Sequence, residues 1–383
     1  MKVSFIIPSY NNLQHLKNVY ASIQKHEPEA EVILLDDGST DNTWEWIQQQ
    51  DCVAYRSEER LGHTILYDKG IELASNKVVG ILHADMIIGP NYLKNLVKHL
   101  KPLTVVCATR IEPPLHPEGK EKIVKDFGMD FDSLDVDSFE DFAIQKQKEH
   151  SNETTKGMFA PWILYKEDFT SMGGHDPLFA PFPYEDSDIF QRWILNGYKL
   201  VQSRDSFVYH LTCRGHRWND EVGKDDDYFK VVSQKAARNY LRKWGSWIDN
   251  DEFQYPIIHP KYDIGIVLKT NSLDLLKLLE PWCSVIFVSD YDSIVPKYIR
   301  EEQPNTLYDL FERIKPLKTD DMAEIMVEID QANFNAETYK YLQQLPQIIK
   351  ESGEPGEFTL GNMTVRINQM NEHQNHLIKN IRL

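Results

Sequence analysis

The chain has 383 residues, 41% hydrophobic, 26% charged and 11% aromatic, with 18 Gly and 19 Pro; it can hold two domains, and disordered, collagen-like and disulfide-scaffold classes are excluded. Lys and Arg number 42 against 59 Asp and Glu, and the formal charge of −17 disfavours a nucleic acid or other polyanion bound across the whole surface, leaving only a local basic groove open. Cys52, Cys107, Cys213 and Cys283 form no CxxC pair, no apolar run reaches the roughly 18 to 20 residues of a spanning helix, and residues 1–10 lack signal-peptide order. The expectation is a cytoplasmic protein with reduced thiols, peripheral membrane association being left open.

Residues 3–7 are a short apolar run stopped by Pro8, which predicts a buried strand ending in a loop. Leu13, Leu16, Val19, Tyr20 and Ile23 fall at helical spacing, and residues 31–35 predict a second strand closed by Asp36, Asp37 and Gly38. A helix over 43–50, a strand over 53–56, a helix carrying Ile65, Leu66, Ile71 and Leu73, and a strand over 78–82 continue the alternation. Strands and helices at this spacing imply a mostly parallel sheet covered on both faces, with its ligand beyond the carboxyl ends of the strands. Pro8 to Asn11, Asp36 to Ser39 and His83 to Asp85 are polar segments at three such ends, and they should converge on one crevice.

From residue 104 the pattern loosens into a Pro-rich turn over 112–117 and an acidic stretch over 126–141, which read as loops and an irregular insertion. Regularity returns with residues 158–164, the turn at Gly173 and Gly174, a helix over about 186–196 and a strand from Leu200 to His210. A basic helix over 235–244 follows, with Lys235, Arg238, Arg242 and Lys243. Strand, helix and strand over 264–268, 273–279 and 285–288 then open a second α/β region, followed by helices up to 346 and a last strand over 363–367. The expected boundary lies near residue 252.

Four clusters carry chemistry, and each has a plain structural alternative. Asp36 and Asp37 can accept hydrogen bonds from a base or ribose, or they can serve a turn and helix cap. His83 and Asp85 offer ligands to a divalent cation on a diphosphate, or they form a polar turn. Glu185, Asp186 and Asp188 begin a helix, where the macrodipole favours acids whatever the function, and where a general base could also stand. His210, Arg214, His216, Arg217 and Trp218 could clamp a diphosphate or form a solvated loop.

Taken in order, these pieces resemble family 2 of the inverting glycosyltransferases, of GT-A fold. The residues that carry the resemblance run from Val3 to about Gly245: residues 5–11, 36–41, 62–71, 83–85, 173–176 with 185–188, 208–210 and 242–245. It implies a Rossmann-like α/β catalytic domain over 1–252, to which the alternation adds a smaller C-terminal α/β domain over 253–383 of unknown role. It also implies a nucleotide-diphosphate sugar donor, UDP being the commonest, a divalent Mn2+ or Mg2+, and a saccharide or other hydroxyl acceptor. Pro8, Tyr10 and Asp37 match positions lining the nucleoside pocket, Asp37 toward the uracil. Gly62 and Asp68 match a further segment of it, with Asp68 where the family more often has Asn. Asp85 matches the last acid of the Asp-X-Asp metal motif, whose first acid is here His83; Ala84 between them is placed with the donor-binding residues. His210 matches a histidine that completes the metal or diphosphate site in some relatives.

Arg214 and Arg217 are set on the diphosphate. The Gln that opens the Arg-Trp motif of processive members is missing before Arg217 and Trp218, and processivity is not inferred. Asp186 matches the general base of the Glu-Asp motif, with Glu185 and Asp188 as alternates, and Trp162, His175, Asp176 and Asp188 are set on sugar or acceptor. Three other readings compete. A sugar-phosphate nucleotidyltransferase needs a Gly-rich basic loop after the first strand, and residues 8–12 contain no Gly. A non-catalytic nucleotide-sugar binder would explain His83 but not the presence of both Asp85 and Asp186. A glycosyltransferase acting on modified DNA is disfavoured by charge.

Overall fold

In the computed structural model, which describes residues 1–373 except 215, 219–220, 270–271 and 319–321, the opening run is a strand buried along its whole length, β1 (Val3–Ser9). A strand covered on both faces has no polar side to alternate with, so its sequence reads as one apolar run. It does not stop at Pro8. Pairing with β4 (below) covers only Val3 to Ile6, whereas pairing with β2 (Glu31–Asp36) runs on to Ser9, so the proline, which has no N–H to give, sits where one side of the strand is already unpaired. Between them α1 (Leu13–His26) buries Leu16, Val19 and Ile23. Then α2 (Thr43–Ile47), β3 (Val53–Arg56), α3 (His63–Leu73) and β4 (Val78–Ile81) complete a parallel half-sheet of order β3-β2-β1-β4.

Beyond β4 come β5 (Met86–Ile88), α4 (Tyr92–Val97), β6 (Thr104–Glu112), β7 (Lys122–Val124), α5 (Val136–Glu149), β8 (Thr154–Thr155), β9 (Trp162–Tyr165), α6 (Lys166–Ser171), α7 (Glu185–Leu195) and β10 (Lys199–His210). β9 lies antiparallel between β4 and β6, and β10 pairs parallel with β6 and antiparallel with β5. The α/β class is the expected one, parallel in its first half and mixed in its second.

Within residues 104–149 the segments 113–121 and 125–135 are the irregular chain expected, but β6 and α5 are regular elements where loops were expected. β6 is nine residues long and every one is buried, but Thr109, Arg110 and Glu112 break its apolar run. Each has an internal partner: the Thr109 hydroxyl donates to the Ser203 carbonyl at 2.7 Å, and Arg110 pairs with Glu112 at 2.8 Å. α5 hides for another reason. It buries only Phe139 and Ala143, too little to mark a helical stripe, and Asp135 in the acidic stretch is its cap, accepting from the Ser138 N–H at 3.0 Å.

The chain divides into two units, Met1–Ser233 with Asn250–Ile257, and Gln234–Asp249 with the residues from Ile258 onward. The division falls inside helix α8 (Asp227–Trp244). The second unit contains β11 (Ile264–Leu268), α9 (Leu273–Leu279), β12 (Val285–Val288), α10 (Tyr291–Glu302), α11 (Leu310–Arg313), β13 (Ile314–Pro316), β14 (Ile325–Ile329), α12 (Ala336–Ser352), β15 (Gly356–Leu360) and β16 (Met363–Ile367). Its sheet has the order β13-β12-β11-β14-β16-β15, parallel up to β14 and antiparallel after it. It has a hydrophobic core of its own. Arg238 and Arg242 of the basic helix turn into this unit: Arg238 pairs with Glu302 at 2.7 Å and Arg242 with the fully buried Glu280 at 2.7 Å. Their charge is neutralised internally. No helix among the described residues is long and apolar enough to cross a membrane.

Candidate active site

The carboxyl ends of β1, β2 and β4 open into one cavity of about 570 Å3, lined entirely by residues of the first unit. Pro8 and Tyr10 reach it from β1, Asp37 from β2, and His83, Ala84 and Asp85 from the turn after β4, so the three polar strand ends converge as expected. Hydrogen bonds tie the loops together. The Asn11 N–H donates to the Ser39 hydroxyl at 2.9 Å, and the Thr40 N–H donates to Asn11 Oδ1 at 2.7 Å.

The two adjacent acids after β2 divide the two readings between them. Asp36 serves the turn, accepting from the Ser39 N–H at 3.0 Å and pairing with Arg56. Asp37 faces the cavity, and its carboxylate accepts the N–H groups of Leu61 at 2.7 Å and Gly62 at 2.9 Å and the Ser57 hydroxyl at 3.2 Å. Burial raises its pKa, and these bonds oppose the shift without cancelling it. Gly62 itself is not among the lining residues; it is the hinge of this turn. Its φ is +86°, and a Cβ there would lie 2.2 Å from Pro181 Cβ, so no other residue fits.

His83 and Asp85 stand on the tight turn between β4 and β5, closed by the Met86 N–H donating to the His83 carbonyl at 3.1 Å. β5 pairs antiparallel with the end of β10 in a register that sets Met86 opposite His210. This pairing brings together residues far apart in sequence: ligand-type atoms of His83, Asp85 and His210 all lie within 4.8 Å of one another. Asp85 Oδ2 accepts the Arg214 N–H at 3.0 Å, and Oδ1 lies 3.5 Å from His210 Nε2. Burial would raise the Asp85 pKa, but the positive charge of His210 outweighs it and holds the carboxyl well below the usual range. Burial and the His210 charge pull His83 down to about 3. For His210 burial is outweighed by Asp85 and Glu112, which push it up to about 9.

Glu185 and Asp186 open α7 after Tyr184, whose φ of +85° turns the chain into the cavity. The two acids have different surroundings. Glu185 pairs with His63 at 2.7 Å, and this cation overcomes the effect of burial and lowers the glutamate. Asp186 accepts the Ser187 N–H at 2.6 Å, and burial together with the neighbouring Glu185 charge pushes it up to about 6.

Trp162 and His175 also line the cavity, their rings 6.4 Å apart. Asp68 does not; it lies against His175, which approaches it with its backbone N–H and, at 2.7 Å, with Nδ1. Asp176 and Asp188 are outside the lining as well. Asp176 caps the turn over 177–179 by accepting from the Leu178 N–H, and Asp188 is a fully buried partner of the fully buried Arg192 at 2.7 Å. Removing one member of such a pair strands the other charge. Asp188→Ala is therefore expected to cost about 3 to 5 kcal/mol, read as a lower denaturant midpoint, and unchanged stability would contradict the assignment.

Arg214 and Arg217 line the cavity with partners already in place. The Arg214 guanidinium donates to the Met129 carbonyl, and Arg217 forms a two-point pair with Asp225 at 2.6 and 3.2 Å. Arg60, Arg110, Glu112 and Lys122 are lining residues that the sequence reading did not select. Arg60 stands two residues before the 62–71 segment: its guanidinium lies 3.9 Å over the Tyr10 ring and 4.6 Å over Tyr228, and its buried Nε has no hydrogen-bond partner. Arg110 and Glu112 share a strand face two residues apart, a signal usable only once 104–112 is read as a strand. Imidazoles are concentrated here: His63, His83, His116, His175, His210 and His216 make six of the chain's 13 histidines.

A crevice of this kind, built at the strand ends of an α/β sheet and carrying a His/Asp/His cluster and a separate acid pair, defines a ligand-binding α/β domain with acid–base capacity. Residues 4–156 match the model of glycosyl transferase family 2. The chain is 24% identical over 235 residues to validoxylamine A glucosyltransferase of Streptomyces hygroscopicus subsp. jinggangensis, covering 54% of this chain and 54% of the relative. Over 108 residues it is 31% identical to the dolichol-phosphate mannosyltransferase of Pyrococcus furiosus, covering 26% of this chain and 30% of the relative. Among solved structures it is similar to GalNAc-T7 crystallised with UDP, GalNAc and Mn2+, with a TM-score of 0.45 and 18% identity over 66% of this chain and 49% of that one. The chain spans about half the length of the first curated relatives it matches.

Proposed function

We propose that the first unit transfers a glycosyl group from a nucleoside diphosphate sugar to an acceptor hydroxyl with inversion at the anomeric carbon. One observation carries the reading: a cation-ligand cluster and an acid of raised pKa line the same cavity at the strand ends of a family 2 domain. Tyr10, Asp37 and Arg60 form the nucleoside end, where an aromatic face and a guanidinium flank the carboxylate. Asp186 is the general base, because an acceptor hydroxyl must lose its proton as it attacks and Glu185 is engaged by His63. Trp162 and His175 offer the donor sugar or acceptor ring faces and edges. Arg214 and Arg217 border the diphosphate. The relatives named glucosyltransferase and mannosyltransferase favour a hexosyl donor.

His83, Asp85 and His210 fit a divalent cation: their ligand-type atoms converge, and the buried His210 Nε2 has no hydrogen-bond partner. Two imidazoles and one carboxylate suit Mn2+ better than Mg2+, which prefers an all-oxygen shell. When bound, such an ion would offset the charge that develops on the departing diphosphate. His83 thus joins the cluster instead of marking its loss, which favours an enzyme over a non-catalytic binder.

The test is calorimetric binding of UDP, GDP, CDP and dTDP, each with Mn2+, Mg2+ or EDTA. One diphosphate is expected to bind, and to bind more tightly with Mn2+ than with Mg2+. No binding by any of the four would refute the reading.

A further inference from the structure

Resting on the proposed cation site, the geometry points to Glu112 as its positioning residue: it fixes the ring of His210 so that Nε2, and not Nδ1, is presented to a divalent cation. Glu112 closes β6 and His210 closes β10, and the parallel register that pairs Ile111 with Tyr209 brings these two ends side by side. His210 Nδ1 lies 2.9 Å from Glu112 Oε1. An ionised carboxylate only accepts, so it keeps the proton on Nδ1, and when the ring gives up its other proton to a cation, Nε2 is the nitrogen that binds it. That Nε2 is buried, lacks a hydrogen-bond partner, and lies 3.5 Å from Asp85 Oδ1.

The carboxylate is itself held. Arg110 donates to Oε1 at 2.8 Å and Lys122 to Oε2 at 2.9 Å, so both oxygens are pinned, and the Phe159 ring lies 3.6 Å from the Arg110 guanidinium. Glu112 is 1% exposed and Arg110 5% exposed. A carboxylate locked in this way orients the imidazole and raises its basicity as a ligand, and loss of such a partner typically costs about 10- to 100-fold in metal affinity. Neither function requires Glu112 to touch the ion or a substrate.

The experiment is titration of Mn2+ into the full chain, alone and with UDP, following free Mn2+ by electron paramagnetic resonance. Glu112→Gln is expected to weaken Mn2+ binding about 10- to 100-fold. Binding by a folded Glu112→Gln protein within about threefold of wild type, a margin inside the expected loss, overturns the inference and leaves the cation site standing. A wild-type chain that binds no Mn2+ under either condition overturns both. A second measurement needs no substitution at Glu112. With Co2+ bound and the histidine rings 15N-labelled, His210 Nε2 must be the nitrogen that coordinates while Nδ1 keeps its proton, and coordination through Nδ1 overturns the inference whether or not Glu112→Gln folds.

Discussion

Asp186→Asn is expected to bind the donor nucleotide like the wild type and to transfer sugar about 10²- to 10⁴-fold more slowly, the usual contribution of a positioned base. The amide keeps the shape of the side chain and can still accept the Ser187 N–H, so the start of α7 should not change. What is lost is the ability to take a proton. The pH profile provides an independent check. Burial and the Glu185 charge push the Asp186 carboxyl up to about 6, and only its deprotonated form can act as base. As pH falls through about 6 the protonated fraction rises, so kcat/KM of the wild type should drop on the acid side, approaching tenfold per pH unit, the slope of a single ionisation. The residual activity of Asp186→Asn should lack this limb. Normal turnover in the variant would remove Asp186 as the base and leave Glu185 as the remaining acid of the pair, with its His63 partner displaced during the reaction.

The parts of this site that the sequence shows are those built from contiguous residues. Pro8 and Tyr10, Asp37, and His83 to Asp85 each follow a short apolar run, and a parallel sheet places such segments side by side by its topology alone. His210 is also visible as a strand end. Its meeting with Asp85 is not, because that depends on β5 pairing antiparallel with β10, and strand pairing across such a separation leaves no trace in local periodicity. Glu112 is hidden twice over: its strand is buried on both faces with polar residues inside, and the prolines after it make the segment read as a turn. Asp176 and Asp188 have uses that the sequence does not separate from a site role: one caps a turn and the other pairs with Arg192, and acids at helix starts and beside buried charge arise for these reasons as readily as for catalysis. In the second unit, β13 and β14 were expected as helical chain. Their short runs of three and five residues acquire strand character from neighbours in the sheet and not from their own composition.

Asp85→Ala should have the second large effect: loss of Mn2+-dependent nucleotide binding and a fall in transfer on the order of 10³-fold, equivalent to several kcal/mol of charge stabilisation. The carboxylate has two separable tasks. Oδ1 faces His210 Nε2 and supplies the negative charge of the cluster, while Oδ2 accepts the Arg214 N–H and holds the segment in which Thr212 and Cys213 adopt φ values of +63° and +59°. Both are non-glycine residues in the left-handed region, which persists only where neighbouring bonds enforce it. Alanine removes both tasks and asparagine only the charge, since its amide oxygen still accepts from Arg214. If the cation assignment is right, Asp85→Asn should lose Mn2+-dependent binding almost as fully as Asp85→Ala while keeping more of its thermal stability. If the carboxylate matters only as a brace for residues 212–214, asparagine should restore binding. Nucleotide affinity that is the same in wild type and Asp85→Asn, with and without EDTA, would therefore assign Asp85 to the loop and leave the His83 and His210 imidazoles without the anion that makes them a cation site.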